Sequence, residues 1–255
     1  MIGEERLKAT FICGVGHSGS TLLGMLLGSH SSAFYMGEGA KARYVGDPTK
    51  PLHKRVCKIC GEACKVWGGF RWDHSFSLYE QVAARAGRRH IVDSTKNRAW
   101  IEERDAETRA AGGATSLILL RRDGRAVLNS RLRKYPEKRP EALVRDWILQ
   151  TEQSQALYDA FDGPKIVVQY ETLATRPASV LKGVCDVVGM TFEGGMLDYH
   201  ATDQHPLGGN NGPQYVAAKA RLERVEEAFV KLNQRSGDYY RSHAAGISLD
   251  RRWKR

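Results

Sequence analysis

The sequence predicts an α/β chain with a P-loop-like, three-layer fold, a mostly parallel central sheet flanked by helices. Three observations lead there. Short, nearly all-apolar runs alternate with longer helical patterns, the rhythm of parallel strands covered on both faces. The first run, "ATFICGV", breaks into a glycine-rich turn and then "STLLGMLL", a strand–loop–helix unit that aims backbone N–H groups at an anion. The chain has 255 residues, enough for one sizeable domain and short for two. A single domain over 1–255 is therefore expected.

Taken in order, the strands are expected at 9–15, 33–37 ("AFYMG"), 90–94 ("HIVDS"), 115–121 ("TSLILLR") and 165–170 ("KIVVQY"). Helices are expected at about 19–30, 75–87, 97–111, 124–134, 140–161 and 176–189. In the 140–161 segment Leu143, Trp147, Leu157, Tyr158 and Phe161 keep to one broad face, the stripe of an amphipathic helix. Two stretches break the rhythm. Residues 44–74, rich in Gly, Pro and Lys, read as an irregular, Cys-containing insertion over the open face of the sheet. Residues 198–214, "DYHATDQHPLGGNNGPQ", precede a final helical region. Long loops of this kind often carry function.

Lys and Arg total 39 against 29 Asp and Glu, a net charge of +10, which favours anionic partners. The basic residues are dispersed, and the closing "RRWKR" reads as a solvated terminus. No aromatic-interleaved basic stretch suggests nucleic acid. The charged opening "MIGEERLKAT" lacks the apolar core of a signal peptide, and no apolar run is long enough to span a membrane. With five cysteines, an odd number at low density, a cytoplasmic protein with reduced thiols is expected.

The stretch "GVGHSGSTLL" (14–23) has the spacing of a Walker A loop, but Ser20 stands where that loop needs its lysine. This argues against NTP hydrolysis. Gly14, Gly16 and Gly19 also fit a dinucleotide-binding turn, with Glu38 placed 24 residues after Gly14 as the ribose-binding acid. The crowd of hydroxyls, Ser18, Ser20 and Thr21, weakens that reading. A second anchor lies in "LILLRRDGRAVLNSRLRK" (117–134). Asp123 is placed to cap a helix, while Arg122 at the strand end and Ser130 two turns into the helix can converge on one phosphate. A kinase-like phosphotransferase or a non-catalytic nucleotide-binding module remains the alternative.

Together, "GVGHSGSTLL" and "RRDGRAVLNS" resemble the 5′-phosphosulfate loop and the 3′-phosphate motif of the sulfotransferases that use 3′-phosphoadenosine 5′-phosphosulfate (PAPS). The spacing of eight from Arg122 to Ser130 is that family's. "GSTLL", "GE" and "RDGRAV" resemble protein-tyrosine and bacterial sulfotransferases most, and "VVQYETLATRP" (167–177) resembles the family less closely. The resemblance implies PAPS as donor, bound by Gly16, His17, Ser18, Gly19, Ser20, Thr21, Arg122, Ser130 and Tyr170. It also implies a hydroxyl-bearing acceptor (small molecule, sugar, lipid or phenol), adenosine 3′,5′-bisphosphate (PAP) as leaving group, and no metal in the chemistry. Glu38 is the implied general base, since it follows the second strand and matches the glutamate of the family's "GE". His17 stands where the family carries arginine or lysine, and Lys96 in "VDSTKN" supplies the positive charge in its stead. Asp93, Ser94, Arg133 and Asn210 are secondary candidates.

Cys57, Cys60 and Cys64 in "HKRVCKICGEACKVW", with His53 or His74, would make a tetrahedral zinc set. The spacing departs from the common two-pair pattern, and the sequence reading favours reduced, partly packed thiols with no metal. Cys13 and Cys185 lie in apolar patterns and read as core.

Overall fold

Five parallel strands, β1 Lys8–Gly14, β2 Ala33–Gly37, β3 His90–Asp93, β4 Ala114–Arg121 and β5 Lys165–Gln169, form one sheet in the order β2-β3-β1-β4-β5. The computed structural model describes residues 6–219; the "RRWKR" tail and most of the helical region expected after 214 lie outside them. Nine α-helices are described: α1 Ser20–Leu27, α2 Leu52–Arg55, α3 Leu78–Ala86, α4 Arg98–Ala110, α5 Gly124–Lys134, α6 Pro140–Ala160, α7 Tyr170–Thr175, α8 Pro177–Val188 and α9 Asn211–Lys219. Helices α1 and α8, both touching the 3₁₀ helix Gly194–Asp198, cover one face, while α4 and α6 touch each other and cover the opposite one. Because strand order reverses on either side of β1, a crevice opens above its carboxyl end, where open α/β sheets bind ligands.

The strands are legible because burial on both faces removes polar residues from them. Every residue of β2 and β3 is buried, as are six of seven in β1. One element boundary differs from expectation: Tyr170 opens α7 instead of ending β5. In α6 the expected stripe faces inward, with Leu143, Leu157 and Phe161 buried and Trp147 and Tyr158 half-buried, while Val144, Ile148 and Leu149, which lie off the stripe, are 38 %, 41 % and 54 % exposed. The helix packs on β1 and β4, and Gln150 and Ser154 face cavities over the sheet.

The 44–74 insertion is more than a cover. Its residues Val45, Ile59, Val66, Trp67 and Phe70 join the core, with the Trp67 ring 6.3 Å from that of Phe34 on β2. Cys57, Cys60 and Cys64 converge on His205 of the late segment; neither His53 nor His74 belongs to the group. Cys13 and Cys185 are buried, as expected. The late segment then docks on the end of β2, with Leu207 N–H donating to Met36 O at 2.8 Å and Glu38 N–H donating to Leu207 O at 2.7 Å. Gly37 makes this possible. Its φ is 85° and an added Cβ would collide with the Leu207 backbone.

At the end of β3, Asp93 is 1 % exposed and its carboxylate accepts four hydrogen bonds. Oδ1 takes the N–H groups of Gly39 (2.9 Å) and Thr95 (2.7 Å); Oδ2 takes Tyr79 Oη–H (2.8 Å) and Trp100 Nε1–H (2.9 Å). The sequence offers Asp93 as a secondary site candidate; the structure makes it a buried tie between β2, α3 and α4. Asp93→Ala should destabilise the fold by about 3 kcal/mol or more, since several buried donors lose their acceptor. Denaturant unfolding of both proteins measures this, and a change below about 1 kcal/mol would count against the tie.

Candidate active site

β1 delivers its chain into the turn 15–19 and then into α1. Gly19 caps α1 with φ 97° and no side chain, so the first-turn N–H groups of Ser20, Thr21 and Leu22 have no acceptor within the helix. An added Cβ at Gly19 would overlap the ring of Tyr170, so the loop packs flat on that ring. A cavity of about 530 Å³ opens here, lined among others by Gly16, His17, Gly19, Ser20, Thr21, Glu38, Lys96, Arg122, Ser130 and Tyr170. The structure thus assembles ten of the expected site residues around one space. Ser18 is the exception: its hydroxyl donates to Val15 O at 2.8 Å, inside the turn. Thr21 Oγ1 accepts the Asn210 N–H at 2.8 Å, which brings the late loop to the rim.

The two sequence anchors meet at His17. Its Nδ1 lies 2.9 Å from Ser130 Oγ, and Arg122 Nη1 donates to its carbonyl at 3.0 Å. Asp123 caps α5 as expected, accepting from Arg125 N–H at 2.8 Å. Among the described residues His17 alone, glycines aside, has a positive φ, 75°, a strained state held by these two contacts. Its ring sits in an electropositive shell. Burial, then Lys134, Arg131, Lys96 and Arg122, lowers its pKa to about 4. Around neutrality it is therefore an uncharged hydrogen-bonding group and does not stand in for the family's cation.

Six basic side chains line this cavity, Lys96, Arg122, Arg131, Arg133, Lys134 and Lys138, against the acids Glu38 and Asp146. Arg122 and Arg131 have no carboxylate partner among the described residues. Arg122 lies over the Tyr170 ring, 4.3 Å from its centroid, with its Nε unbonded. Arg131, 4 % exposed, donates to Gln150 Oε1 at 2.6 Å and to Gly16 O at 3.3 Å. Asp146 offsets part of the Arg131 charge, but neither guanidinium has a carboxylate in direct contact, and the surplus of positive charge favours an anionic ligand. Sequence reading missed Arg131, Lys134, Tyr135, Lys138 and Gln150. The first four follow Ser130 along α5 and the turn after it, a signal that was available; Gln150 comes from α6 and left none.

Glu38 faces this cavity and a second one of about 530 Å³, also lined by Lys41, Arg43, Tyr44, Ser94, Thr95, Lys96, Asn97 and Arg98. Its carboxylate pairs with Lys41 Nζ at 2.6 Å. Burial alone would raise its pKa, but Lys41, Lys96 and the Gly209 N–H outweigh that and hold it below the usual range. Lys96 Nζ donates to Ser94 O at 3.2 Å; burial lowers its pKa while Glu38 and Asp93 oppose the shift. A carboxylate and an ammonium thus flank the passage between the two spaces.

The acid behaviour of the fold follows from the histidines. His90 is depressed like His17, to about 4, by burial first and then by Lys8 and His30. Between pH 4 and 6.5 the unfolded chain binds more protons, so the stability these groups carry is complete above about pH 6.5 and is lost as pH falls towards 4. Chemical denaturation should show that His17→Gln loses less stability between pH 7 and pH 5 than the parent. An identical pH dependence would mean His17 titrates normally.

The profile of the sulfotransferase family matches residues 9–194, which take in all five strands and every site residue above except those of the late loop. Among curated proteins no sequence matches significantly. Two solved structures share the architecture. The sulfotransferase domain from the curacin biosynthetic pathway is 18 % identical with a TM-score of 0.56, over 91 % of this chain and 99 % of that one. The sulfotransferase domain from the Synechococcus PCC 7002 olefin synthase is 18 % identical with a TM-score of 0.55, over 92 % and 96 %. With the loop, the Arg122–Ser130 anchor and the parallel sheet all in the matched span, the chain belongs to the sulfotransferase family and is a sulfuryl-transferring enzyme.

Proposed function

We propose that the enzyme takes its sulfuryl group from PAPS and transfers it to a hydroxyl of its acceptor, with Glu38 as general base. The observation that carries this reading is the cationic cavity whose arginines form no salt bridge among the described residues, joined through Glu38 and Lys96 to a second cavity. The fit to a bisphosphorylated donor rests on three features. The open N-terminus of α1 with Ser20 and Thr21 suits the 5′-phosphosulfate. Arg122, with its unbonded Nε, and Ser130 suit the 3′-phosphate, which would take the Ser130 hydroxyl from His17. Tyr170 lies beneath Arg122 and against Gly19, beside the expected path of the nucleotide.

When bound, the donor supplies a sulfur atom that gains a bond to the acceptor oxygen as its bond to the bridging phosphate oxygen breaks, releasing PAP. The chain's part is positioning and charge. Lys96 faces the charge that builds on the transferring group. Glu38, ionised at neutral pH, takes the acceptor proton. Fixed cations of the chain meet the donor's charge, so binding is expected to proceed in EDTA. Apart from Ala40 and the Tyr44 ring, the second cavity is lined by glycine and by polar or charged side chains.

Calorimetric titration in EDTA should show micromolar binding of PAP, lost on removing its 3′-phosphate; preference for ATP with magnesium would overturn the donor assignment. Arg122→Ala should weaken PAP far more than 5′-AMP, and equal losses would remove its role at the 3′-phosphate. Glu38→Gln should leave PAP affinity nearly intact while lowering turnover about 100- to 10,000-fold. Unchanged turnover would exclude it as base.

A further inference from the structure

Cys57, Cys60, Cys64 and His205 bring one ligand atom each into a group whose members all lie within 4.8 Å of one another. The cysteines come from the insertion and the histidine from the late segment. His205 Nδ1 lies 3.2 Å from Cys60 Sγ and 3.4 Å from Cys64 Sγ. A tetrahedron with metal–sulfur bonds of about 2.3 Å and metal–nitrogen bonds of about 2.0 Å has a sulfur–nitrogen edge of about 3.5 Å. The other ring nitrogen, Nε2, lies 3.0 Å from Asp203 Oδ1 but out of hydrogen-bond line, so a carboxylate stands beside the ring without being bonded to it.

The sulfurs are also arranged as thiolates are. Cys57 Sγ accepts from the N–H groups of Ile59 and Cys60 at 3.4 Å each, and Cys64 Sγ accepts from Trp67 N–H at 3.5 Å. The Cys57–Cys60 turn closes through an antiparallel bridge between Cys57 and Gly61. A divalent ion held by three thiolates and a neutral imidazole leaves one net negative charge, and the buried Lys58 stands next to Cys57 in the chain. Sulfur and nitrogen donors in a closed set of four select zinc, and the absence of an open position makes the site structural.

We propose that Cys57, Cys60, Cys64 and His205 bind a structural zinc ion that clamps the late segment to the insertion and so sets the position of Glu38. The clamp is short. Trp67 Nε1 donates to His205 O at 2.6 Å and Lys58 N–H to Pro206 O at 2.9 Å. One residue further, Leu207 pairs with Met36 and Glu38. Gly208 and Gly209 follow; Gly209 reaches the cavity rim and its N–H faces the Glu38 carboxylate. Binding releases the thiol protons to solvent and changes no oxidation state.

The full-length chain, purified without added metal, should carry about one zinc per chain by elemental mass spectrometry. Metal-free protein titrated with cobalt(II) should develop a thiolate charge-transfer band and the strong visible bands of a tetrahedral ion, both abolished by zinc. Restoring zinc should raise the thermal midpoint. His205→Ala and Cys60→Ser should lower zinc affinity by at least 10-fold; the cobalt spectrum of the parent protein decides the matter even if these variants fail to fold. Three freely reactive thiols in the folded, metal-free chain with no cobalt spectrum would overturn the site. So would a disulfide detected by intact mass, or stoichiometric iron in place of zinc.

Discussion

The carboxylate of Asp93 is the constraint on which the active-site geometry depends. A buried charge is tolerated only when its oxygens are filled, and here four donors fill them. Two are backbone N–H groups next to the residues that matter. Gly39 follows Glu38, and Thr95 precedes Lys96. The tie that makes Asp93 acceptable in the core therefore sets how far apart the carboxylate and the ammonium stand. Tyr79 and Trp100 anchor the same carboxylate to α3 and α4, so this spacing is backed by two packed helices and not by loop contacts alone.

What could be read from the sequence divides by distance along the chain. Strands β1 to β4 announce themselves because both faces are buried; β5, at the sheet edge with only Val168 buried, is marked by its apolar run alone. The phosphate loop and the Arg122–Ser130 anchor are local, since each is a strand end and the helix that follows. Asp123 as a cap is local too. The features that escaped are those joined across the chain. His205 meets cysteines more than 140 residues away, while the nearer His53 and His74 stand apart. Gln150 reaches the loop from the middle of α6. Asp93 read as a site residue because it ends a strand beside Ser94, and only the packing of Tyr79 and Trp100 shows why it is there.

The absent Walker lysine is understandable in these terms. A lysine at the position of Ser20 would add a mobile cation to a space already ringed by Arg122, Arg131 and Lys96. The chain instead distributes charge on side chains anchored by other groups, Arg122 by the His17 carbonyl and the Tyr170 ring, Arg131 by Gln150. His17 cannot supply a further cation in that field, because burial, and after it the same arginines and lysines that would share an anion with it, push its proton off. Its contribution is geometric, linking the loop to Ser130 and Arg122.

The same electrostatics bear on Glu38. A carboxylate held low by Lys41 and Lys96 is ionised whenever an acceptor arrives, but it is a weak base for that reason. Any anion that draws on the Lys96 charge removes part of what holds Glu38 low and so raises its affinity for a proton. In the proposed reaction that anion is the donor's transferring group. The base is then strongest when the sulfuryl group is in place and weakest when the cavity holds none, so an acceptor bound alone meets a poor proton acceptor. Lys41, 2.6 Å from the carboxylate, limits how far that proton affinity can rise.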